Sequence, residues 1–310
     1  MIGPIKDRGS ASGLIVHQGY IVAEWGNPKR IDSINSVTKT FLTTVIGLAW
    51  QRDLIHDVND NVREYMPRHV DLFHDPQNQN ITWEHLLRKT SDWTGNLWGK
   101  PDWADRPVGK TLEEQKNRKM NEPGTYFKYN DVRVNVLALA GLYVWKKPFP
   151  QVLSEEIMTP IGASSNWNWY GYDNSWVEID GQLMQSVSGG DHWGGGMYID
   201  SYDLARFGYL FLRKGKWKNQ QLISEEWIKK ACMPSALNEN YGYANWFLNK
   251  NKAALPSAPA TAVRFLGNGS NIVYIDWEND IVAVFRWICN EQALDKVLDK
   301  IIASINKGNK

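Results

Sequence analysis

The clearest strand patterns stand at the two ends of the chain, and this placement constrains the fold more than any other feature. Two β-rich runs within residues 14–25 are joined at Gly19, which predicts a hairpin. Three further β-rich runs lie near the C-terminus, at residues 262–266, 271–277 and 281–288. We therefore predict an α/β (α+β) fold in which an antiparallel β-sheet, flanked by helices, is built from both ends of the chain.

Helical patterns fill the middle of the chain. Apolar residues in the segment 36–51 recur with the i, i+3, i+4, i+7 spacing of a helix that is buried along one face. The segment 53–187 is loop-rich, with helical pieces at residues 82–88 and after Asp131, and further helices are expected after Asp200 and at residues 293–305. The simplest assembly has two domains. These are a discontinuous sheet domain, 1–52 plus 188–310, and an inserted mainly helical domain, 53–187.

Charge and hydropathy exclude several classes of partner. The 310 residues include 35 lysines and arginines against 34 aspartates and glutamates, a net charge of +1 that does not suit a nucleic-acid-binding protein. The longest apolar stretch, residues 41–50, is too short to span a bilayer, and residues 1–13 lack the apolar region of a secretory signal. We expect a soluble protein that acts on a small molecule. It is cytoplasmic unless a signal has been removed, in which case it is periplasmic or secreted; the oligomeric state stays open.

Cysteine and histidine patterns indicate neither a disulfide framework nor a metal centre. Cys232 and Cys289 are too few for a disulfide scaffold, and we expect both to be small buried hydrophobic residues. His69 and His74 lie beside aspartates in a polar, loop-like stretch that is typical of a solvated surface. No metal and no cofactor are predicted.

The strongest candidate for chemistry is the pair Ser36 and Lys39, which stand three residues apart at the start of the first predicted helix. The Ser-x-x-Lys spacing is short enough to occur by chance, and a second copy exists at Ser304 and Lys307. The second copy lies in a charged C-terminal stretch, whereas the helix after Ser36 is apolar. The context therefore favours Ser36 as the buried, functional copy.

This spacing makes a nucleophile and a base neighbours. Residues three apart on a helix face each other, so the Lys39 amine can reach the Ser36 hydroxyl. A serine is activated when a base removes its proton, and burial together with the helix dipole is expected to lower the pKa of Lys39 towards a neutral amine. The free backbone N–H of Ser36 can also face an oxyanion. The alternative is a serine N-cap followed by an exposed lysine.

Two companion motifs follow in order along the chain. Pro123 and Gly124 begin a turn that leads to Tyr129, and Leu266-Gly267-Asn268-Gly269-Ser270 precedes a late strand. With segments 85–91 and 194–207, these motifs make residues 13–302 resemble the β-lactamase and penicillin-recognising serine hydrolases. The closest likeness is to the class C branch, with its carboxylesterases, D-aminopeptidases and 6-aminohexanoate-dimer hydrolases. The resemblance implies a β-lactamase/DD-peptidase-like fold.

The resemblance also implies a role for each matching residue. Ser36 is the expected acylated nucleophile, Lys39 its proton acceptor, and Tyr129 the group that shuttles a proton among nucleophile, leaving group and water. The backbone N–H groups of Ser36 and Ser270 are the expected oxyanion hole. The residues expected to bind substrate are Asp131, Gly267, Asn268 and Gly269.

Two positions depart from the family pattern. Asp131 replaces the asparagine of Tyr-x-Asn, and Gly267 replaces the lysine or histidine that commonly helps to hold a substrate carboxylate. We therefore expect an esterase or amidase for small neutral or amine-bearing substrates, unless Arg264, Lys128 or another cation replaces the lost charge. The alternatives are true β-lactamase or D-peptidase activity, and a catalytically silent member that binds a ligand.

Overall fold

The computed structural model describes residues 8–190, 192–290 and 292–308. The fourteen strands are β1 Ser12–His17, β2 Tyr20–Trp25, β3 Asp32–Ser33, β4 Asn96–Leu97, β5 Lys100–Pro101, β6 Asn168–Ile179, β7 Gln182–Val187, β8 Gly196–Ile199, β9 Lys216–Trp217, β10 Gln220–Gln221, β11 Phe247–Leu248, β12 Val263–Gly267, β13 Asn271–Asp276 and β14 Ile281–Arg286. The eight α-helices are α1 Thr38–Gln51, α2 Trp83–Leu87, α3 Leu112–Lys116, α4 Asp131–Trp145, α5 Phe149–Leu153, α6 Ser201–Leu212, α7 Glu225–Ala231 and α8 Gln292–Gly308. These counts refer to the described residues.

The main sheet joins the two ends of the chain. Its six strands follow the order β11-β12-β13-β14-β1-β2, and every neighbouring pair is antiparallel. The N-terminal hairpin pairs with the last strand so that Leu14 lies opposite Val284. The predicted fold class, an antiparallel sheet combined with helices, is confirmed.

The central strands of this sheet are buried on both faces because helices cover both sides. Side chains alternate along a strand. Val282 and Val284 of β14 therefore join the core that includes α1 and α6, whereas Ile281 and Ala283 join the core under α8. Helix α6 packs directly on this sheet, and the 3₁₀ turn before α1 contacts β12 and β13.

Helices α1 and α4 lie at the centre of the molecule. Apart from the last two residues of each helix, every side chain in them is buried, and the two helices contact each other. A helix that is apolar on nearly all sides belongs inside a protein. The starts of both helices carry the predicted catalytic residues. In the described part of the chain, no helix combines the length and apolarity needed to cross a membrane.

A long hairpin lies within the segment whose pattern predicted loops and helices. Strands β6 and β7 pair with each other, and β6 also pairs with β8, which continues to β3. Polar residues interrupt the alternation in β6 where its pairing with β7 shifts register, between Gly171 and Trp176. This second sheet connects the segment 53–187 to the turn before Ser36. The two-domain division stays a prediction.

Candidate active site

Ser36 lies in a tight turn directly before α1. The turn is a 3₁₀-helix, Asn35–Val37, and α1 itself begins at Thr38. Buried Arg286 donates hydrogen bonds to the carbonyls of Asp32 and Ser33, and the Asn35 side chain donates to the Asn268 carbonyl at 3.1 Å. The serine is therefore held between the sheet and the β12–β13 turn.

Three of the predicted catalytic residues meet at the Ser36 oxygen. Lys39 Nζ and the Tyr129 hydroxyl each donate a hydrogen bond to Ser36 Oγ, both at 2.9 Å. The side chain of Lys39 is fully buried. The alternative reading, a serine cap followed by an exposed lysine, is wrong. A Cβ at Gly190 would lie 2.3 Å from Lys39 Nζ, so glycine is needed beside the amine.

Asp131 changes the expected electrostatics of Lys39. Its carboxylate Oδ1 lies 2.6 Å from Lys39 Nζ, and both side chains are buried. Burial alone lowers the pKa of Lys39, but attraction to Asp131 and Tyr129 outweighs burial and raises the pKa above the ordinary lysine value. The expectation of a lowered pKa is therefore wrong. The raised pKa favours the ammonium form of Lys39, with Asp131 as its buried counter-ion.

Two further cations flank the ring of Tyr129. Lys89 Nζ lies 4.5 Å from the ring centroid and the Arg106 guanidinium carbon 4.4 Å from it, within the range of a cation–π contact. Burial raises the pKa of Tyr129 above its ordinary value, although Lys39 opposes this shift. The sequence reading assigned no role to Lys89 or Arg106. The available signal was that Lys89 lies inside the matching segment 85–91.

The two cations proposed from sequence as replacements lie elsewhere. Arg264 is on β12, with its guanidinium carbon 5.7 Å from the centroid of the Phe247 ring. Lys128 is buried, and burial together with repulsion from Arg133 and Arg118 lowers its pKa. Among the described residues that line the cleft beside Ser36, Arg106 is the one arginine.

The predicted substrate-binding triplet lines the same cleft as Tyr129. Gly267 ends β12, and Asn268, Gly269 and Ser270 make the turn into β13, with positive φ angles at Gly269 and Ser270. A Cβ at Gly267 would lie 2.2 Å from the Ile34 carbonyl oxygen. No side chain fits there unless the backbone moves. The missing cation at this position therefore follows from the close approach of the strand to the nucleophile turn.

These residues enclose one cleft of about 480 Å³. Cys289 lies on its rim and is exposed, and Cys232 is only partly buried. The expectation of a buried cysteine is wrong for Cys289, because the chain there leaves β14 and turns towards the cleft with a positive φ, whereas Cys232 packs against the hydrophobic core. The cleft is lined by Asn35, Ser36, Arg106, Tyr129, Asp131, Gly190, His192, Phe247, Leu266, Gly267, Asn268, Gly269, Ser270 and Cys289.

Asp105, Asp131 and His192 bring their oxygen and nitrogen atoms within 4.8 Å of one another beside the cleft. Both carboxylates already have cationic partners. Arg106 Nη1 contacts the two oxygens of Asp105 at 2.7 and 2.6 Å, and Lys39 contacts Asp131. Asp105 also accepts the backbone N–H of Asp131 at 2.6 Å. We therefore assign the three side chains to the ion-pair network that surrounds Tyr129.

Comparison with known proteins adds a family match. The chain matches the family model described as Beta-lactamase over residues 7–301. The Bacillus subtilis protein PbpX, named as a penicillin-binding protein, is 22% identical over 330 aligned positions that cover 98% of this chain and 77% of that protein.

Solved structures with the same architecture include enzymes of different specificity. A protein from Bacillus anthracis named as a 6-aminohexanoate-dimer hydrolase superposes with a TM-score of 0.68 at 17% identity, covering 96% of this chain and 79% of that one. A family VIII carboxylesterase superposes with a TM-score of 0.63 at 16% identity, covering 90% and 86%. At these identities the likeness shows a shared fold.

Proposed function

Because this chain belongs to the beta-lactamase family, we propose that it is a serine hydrolase that cleaves an ester or amide bond through an acyl-enzyme on Ser36. The observation that carries the proposal is the Ser36 oxygen, which receives hydrogen bonds from Lys39 and from Tyr129 at 2.9 Å. A partly buried serine oxygen that opens to a cleft and contacts an amine and a phenol, each able to exchange a proton, is the arrangement expected of an activated nucleophile.

In the proposed reaction, Lys39 and Tyr129 have different roles. Lys39 stays protonated beside Asp131, so it orients Ser36 Oγ and stabilises negative charge that develops there. The role of proton acceptor, expected for Lys39, passes in this proposal to the Tyr129 oxygen. In its phenolate form, which attraction to the Lys39 ammonium favours against burial, Tyr129 takes the Ser36 proton during attack, gives it to the leaving group, and then repeats the exchange with water. The N–H groups of Ser36 and Ser270 are the proposed oxyanion hole.

The charges of the cleft favour a neutral substrate. Arg106 is neutralised by Asp105 and Lys39 by Asp131, and Gly267 offers no side chain to a substrate carboxylate. Because Asp131 already holds Lys39, it is not free to bind a substrate amine. We therefore propose small neutral esters or amides and no longer include amine-bearing ones.

Labelling with a fluorophosphonate probe followed by mass spectrometry tests the nucleophile. We expect a single adduct on Ser36 in the native protein and none in the Ser36→Ala variant, because the probe reacts with activated serines. A native protein that stays unlabelled over a range of pH would contradict the proposal and favour a ligand-binding role. The matched control is Ser304→Ala, which removes the second Ser-x-x-Lys copy and should leave labelling unchanged.

A comparison of kcat/KM for short-chain p-nitrophenyl esters and for nitrocefin tests the substrate class. We expect the ester value to be higher, because a β-lactam presents a carboxylate that the neutral cleft does not pair. A much higher value for nitrocefin would instead support β-lactamase activity.

A further inference from the structure

A second cavity, of about 560 Å³, lies on the other side of β11 from the catalytic cleft. Phe247 of this strand lines the catalytic cleft, and the next residue, Leu248, lines the second cavity. Successive side chains of a strand point to opposite faces, so β11 separates the two spaces. None of the described residues that line the second cavity belongs to the proposed catalytic or oxyanion-hole set. The second cavity is therefore distinct from the proposed active site.

The inside of the second cavity is apolar. Ile228 of α7, Leu248 of β11 and Val263 of β12 line it and belong to the hydrophobic core. Trp277 also lines it, and its indole N–H donates to the Phe211 carbonyl at 3.1 Å, so the one polar atom of that side chain is already bonded. Walls of this kind favour a hydrocarbon group over water.

The charged residues of the second cavity are mainly lysines. Lys214, Lys229 and Lys250 line it, and between 41% and 71% of each side chain is exposed. Glu225 lies 3.4 Å from the amines of both Lys214 and Lys229, so two cations share one carboxylate. Lys250 contacts Glu239 at 3.2 Å. Exposed ion pairs of this kind are weak, so these lysines remain able to bind another carboxylate.

We propose that the second cavity binds one free long-chain carboxylate, with the hydrocarbon tail against α7, β11 and β12 and the carboxylate at the lysines. Among the described charged residues that line the cavity, three are lysines and one is a glutamate, which favours an anionic head group over a cationic one. The lysines supply the donors for this head group, because the Thr261 hydroxyl, also in the lining, already donates to Glu278 at 2.6 Å.

The size of the second cavity favours a single small amphiphile over a protein segment or a bilayer surface. Its volume lies within the range of about 300–1,000 Å³ that is typical of small-molecule sites. The inference does not depend on the proposed reaction, because a free carboxylate has no ester or amide bond to cleave.

Isothermal titration calorimetry with sodium octanoate, decanoate and dodecanoate, each below its micellar concentration, tests the site. We expect one molecule to bind per chain, with an affinity that rises about fourfold for each methylene that becomes buried. Dodecyltrimethylammonium has the same tail and the opposite charge, so it should bind at least about tenfold more weakly than dodecanoate. Equal affinities for these two ligands, or no binding of dodecanoate up to about 1 mM, would overturn the inference.

Two tryptophan substitutions locate the bound tail. Cys232 lines the second cavity, whereas Cys289 lines the catalytic cleft. Cys232→Trp should therefore weaken dodecanoate binding at least about tenfold, because the indole occupies the space of the tail, and Cys289→Trp, the matched control, should leave it unchanged. Cys232→Ala keeps the space open and should bind as the native protein does. The reverse pattern would place dodecanoate in the catalytic cleft and overturn the inference.

Charge reversal tests the head group without filling the cavity. Lys229→Glu should weaken dodecanoate binding about tenfold, because a repulsion replaces an attraction. The control is Lys146→Glu, which changes a surface pair with Asp180 outside the cavity and should leave binding unchanged. If Cys232→Trp fails to fold, this comparison carries the test, since 71% of the Lys229 side chain is exposed. Equal affinities in Lys229→Glu and Lys146→Glu would overturn the inference.

Sedimentation with vesicles of phosphatidylglycerol and phosphatidylcholine separates a free amphiphile from a membrane surface. We expect the native protein to stay in the supernatant. Sedimentation with the vesicles by a protein that does not bind dodecanoate would overturn the inference in favour of a membrane surface. Neither calorimetry nor sedimentation depends on Ser36, whose assignment fails only if the native protein is not labelled by the fluorophosphonate.

Discussion

At the scale of single residues, Asp131, which replaces the asparagine of the family pattern, determines how the charges of the site are paired. A buried lysine is costly as an ion unless it is paired, and Asp131 supplies the opposite charge at 2.6 Å. Burial opposes the charge of Asp131, but attraction to Lys39 and Lys89 lowers the pKa of that carboxyl below its ordinary value. One carboxylate in place of an amide therefore converts Lys39 from a candidate base into a fixed cation.

The Lys39–Asp131 pair gives stability a defined dependence on pH. The pKa of Asp131 is lower in the folded state, so its contribution is complete well above the ordinary value of 3.8 and is lost as pH falls through the folded pKa. The pKa of Lys39 is raised, so its contribution is complete well below 10.5 and is lost as pH rises through the folded pKa. The pair should therefore stabilise the fold throughout the neutral range.

Replacing Asp131 with asparagine tests this pair. We expect Asp131→Asn to lower the free energy of unfolding at pH 7 by about 3 kcal/mol, because it leaves Lys39 buried without its counter-ion. Urea denaturation at pH 7 and at a series of pH values below 3.8 measures the loss and its decrease towards acid. The control is Asp180→Asn, which breaks the surface pair with Lys146 and should cost less than about 1 kcal/mol. Equal losses of unfolding free energy in the two variants would mean that the buried Lys39–Asp131 pair stabilises the fold no more than a surface pair does.

At the scale of elements, the site depends on how closely β12 approaches the turn before α1. The backbone of Gly267 packs on the Ile34 carbonyl, and Asn35 reaches across to the Asn268 carbonyl. The strand end and the nucleophile turn therefore move as one unit. This contact fixes the distance between Ser36 and Ser270, the two residues proposed to supply oxyanion donors.

Gly267→Ala should separate these elements. The alanine Cβ would lie 2.2 Å from the Ile34 carbonyl oxygen, so the strand must shift. We expect kcat/KM for a p-nitrophenyl ester to fall by about 10²-fold or more, because that is the usual cost of misplacing an oxyanion donor. Gly181→Ala is the control. Gly181 has a positive φ but open space around it, so alanine there should cost about 1 kcal/mol of stability and leave kcat/KM unchanged. Native activity in Gly267→Ala would contradict the proposed donor geometry.

At the scale of the whole molecule, the sequence predicted the secondary-structure elements that depend on local pattern and the family that depends on motifs. The strands at both ends and the helix after Ser36 follow from periodicity, and the family expected from the motifs is confirmed by the match over residues 7–301. The cluster around Tyr129 was not predictable in the same way. Lys89, Arg106 and Asp131 come from separate parts of the chain, and only the packed fold shows that Asp131 pairs with Lys39 while Lys89 and Arg106 lie against the Tyr129 ring.

The hydrophobic core bears on the predicted division into two domains. One continuous core contains Leu14 of the main sheet and Leu137 of α4, which lie on opposite sides of the predicted domain boundary. Both side chains are fully buried. A shared core of this kind couples the unfolding of the two parts. We therefore expect a single cooperative unfolding transition, although the chain passes between the two predicted domains twice.

Urea denaturation of Leu14→Ala and Leu137→Ala tests this coupling, followed in parallel by near-UV circular dichroism and by Ser36 labelling. Each variant should lose about 2–5 kcal/mol of stability, because a buried leucine leaves a cavity, and in each the two probes should give the same midpoint. Leu183→Ala, at a position where 68% of the residue is exposed, should change stability by less than about 0.5 kcal/mol. Two resolved transitions, with Leu14→Ala shifting one and Leu137→Ala the other, would show that the parts unfold independently and that the shared core does not couple them.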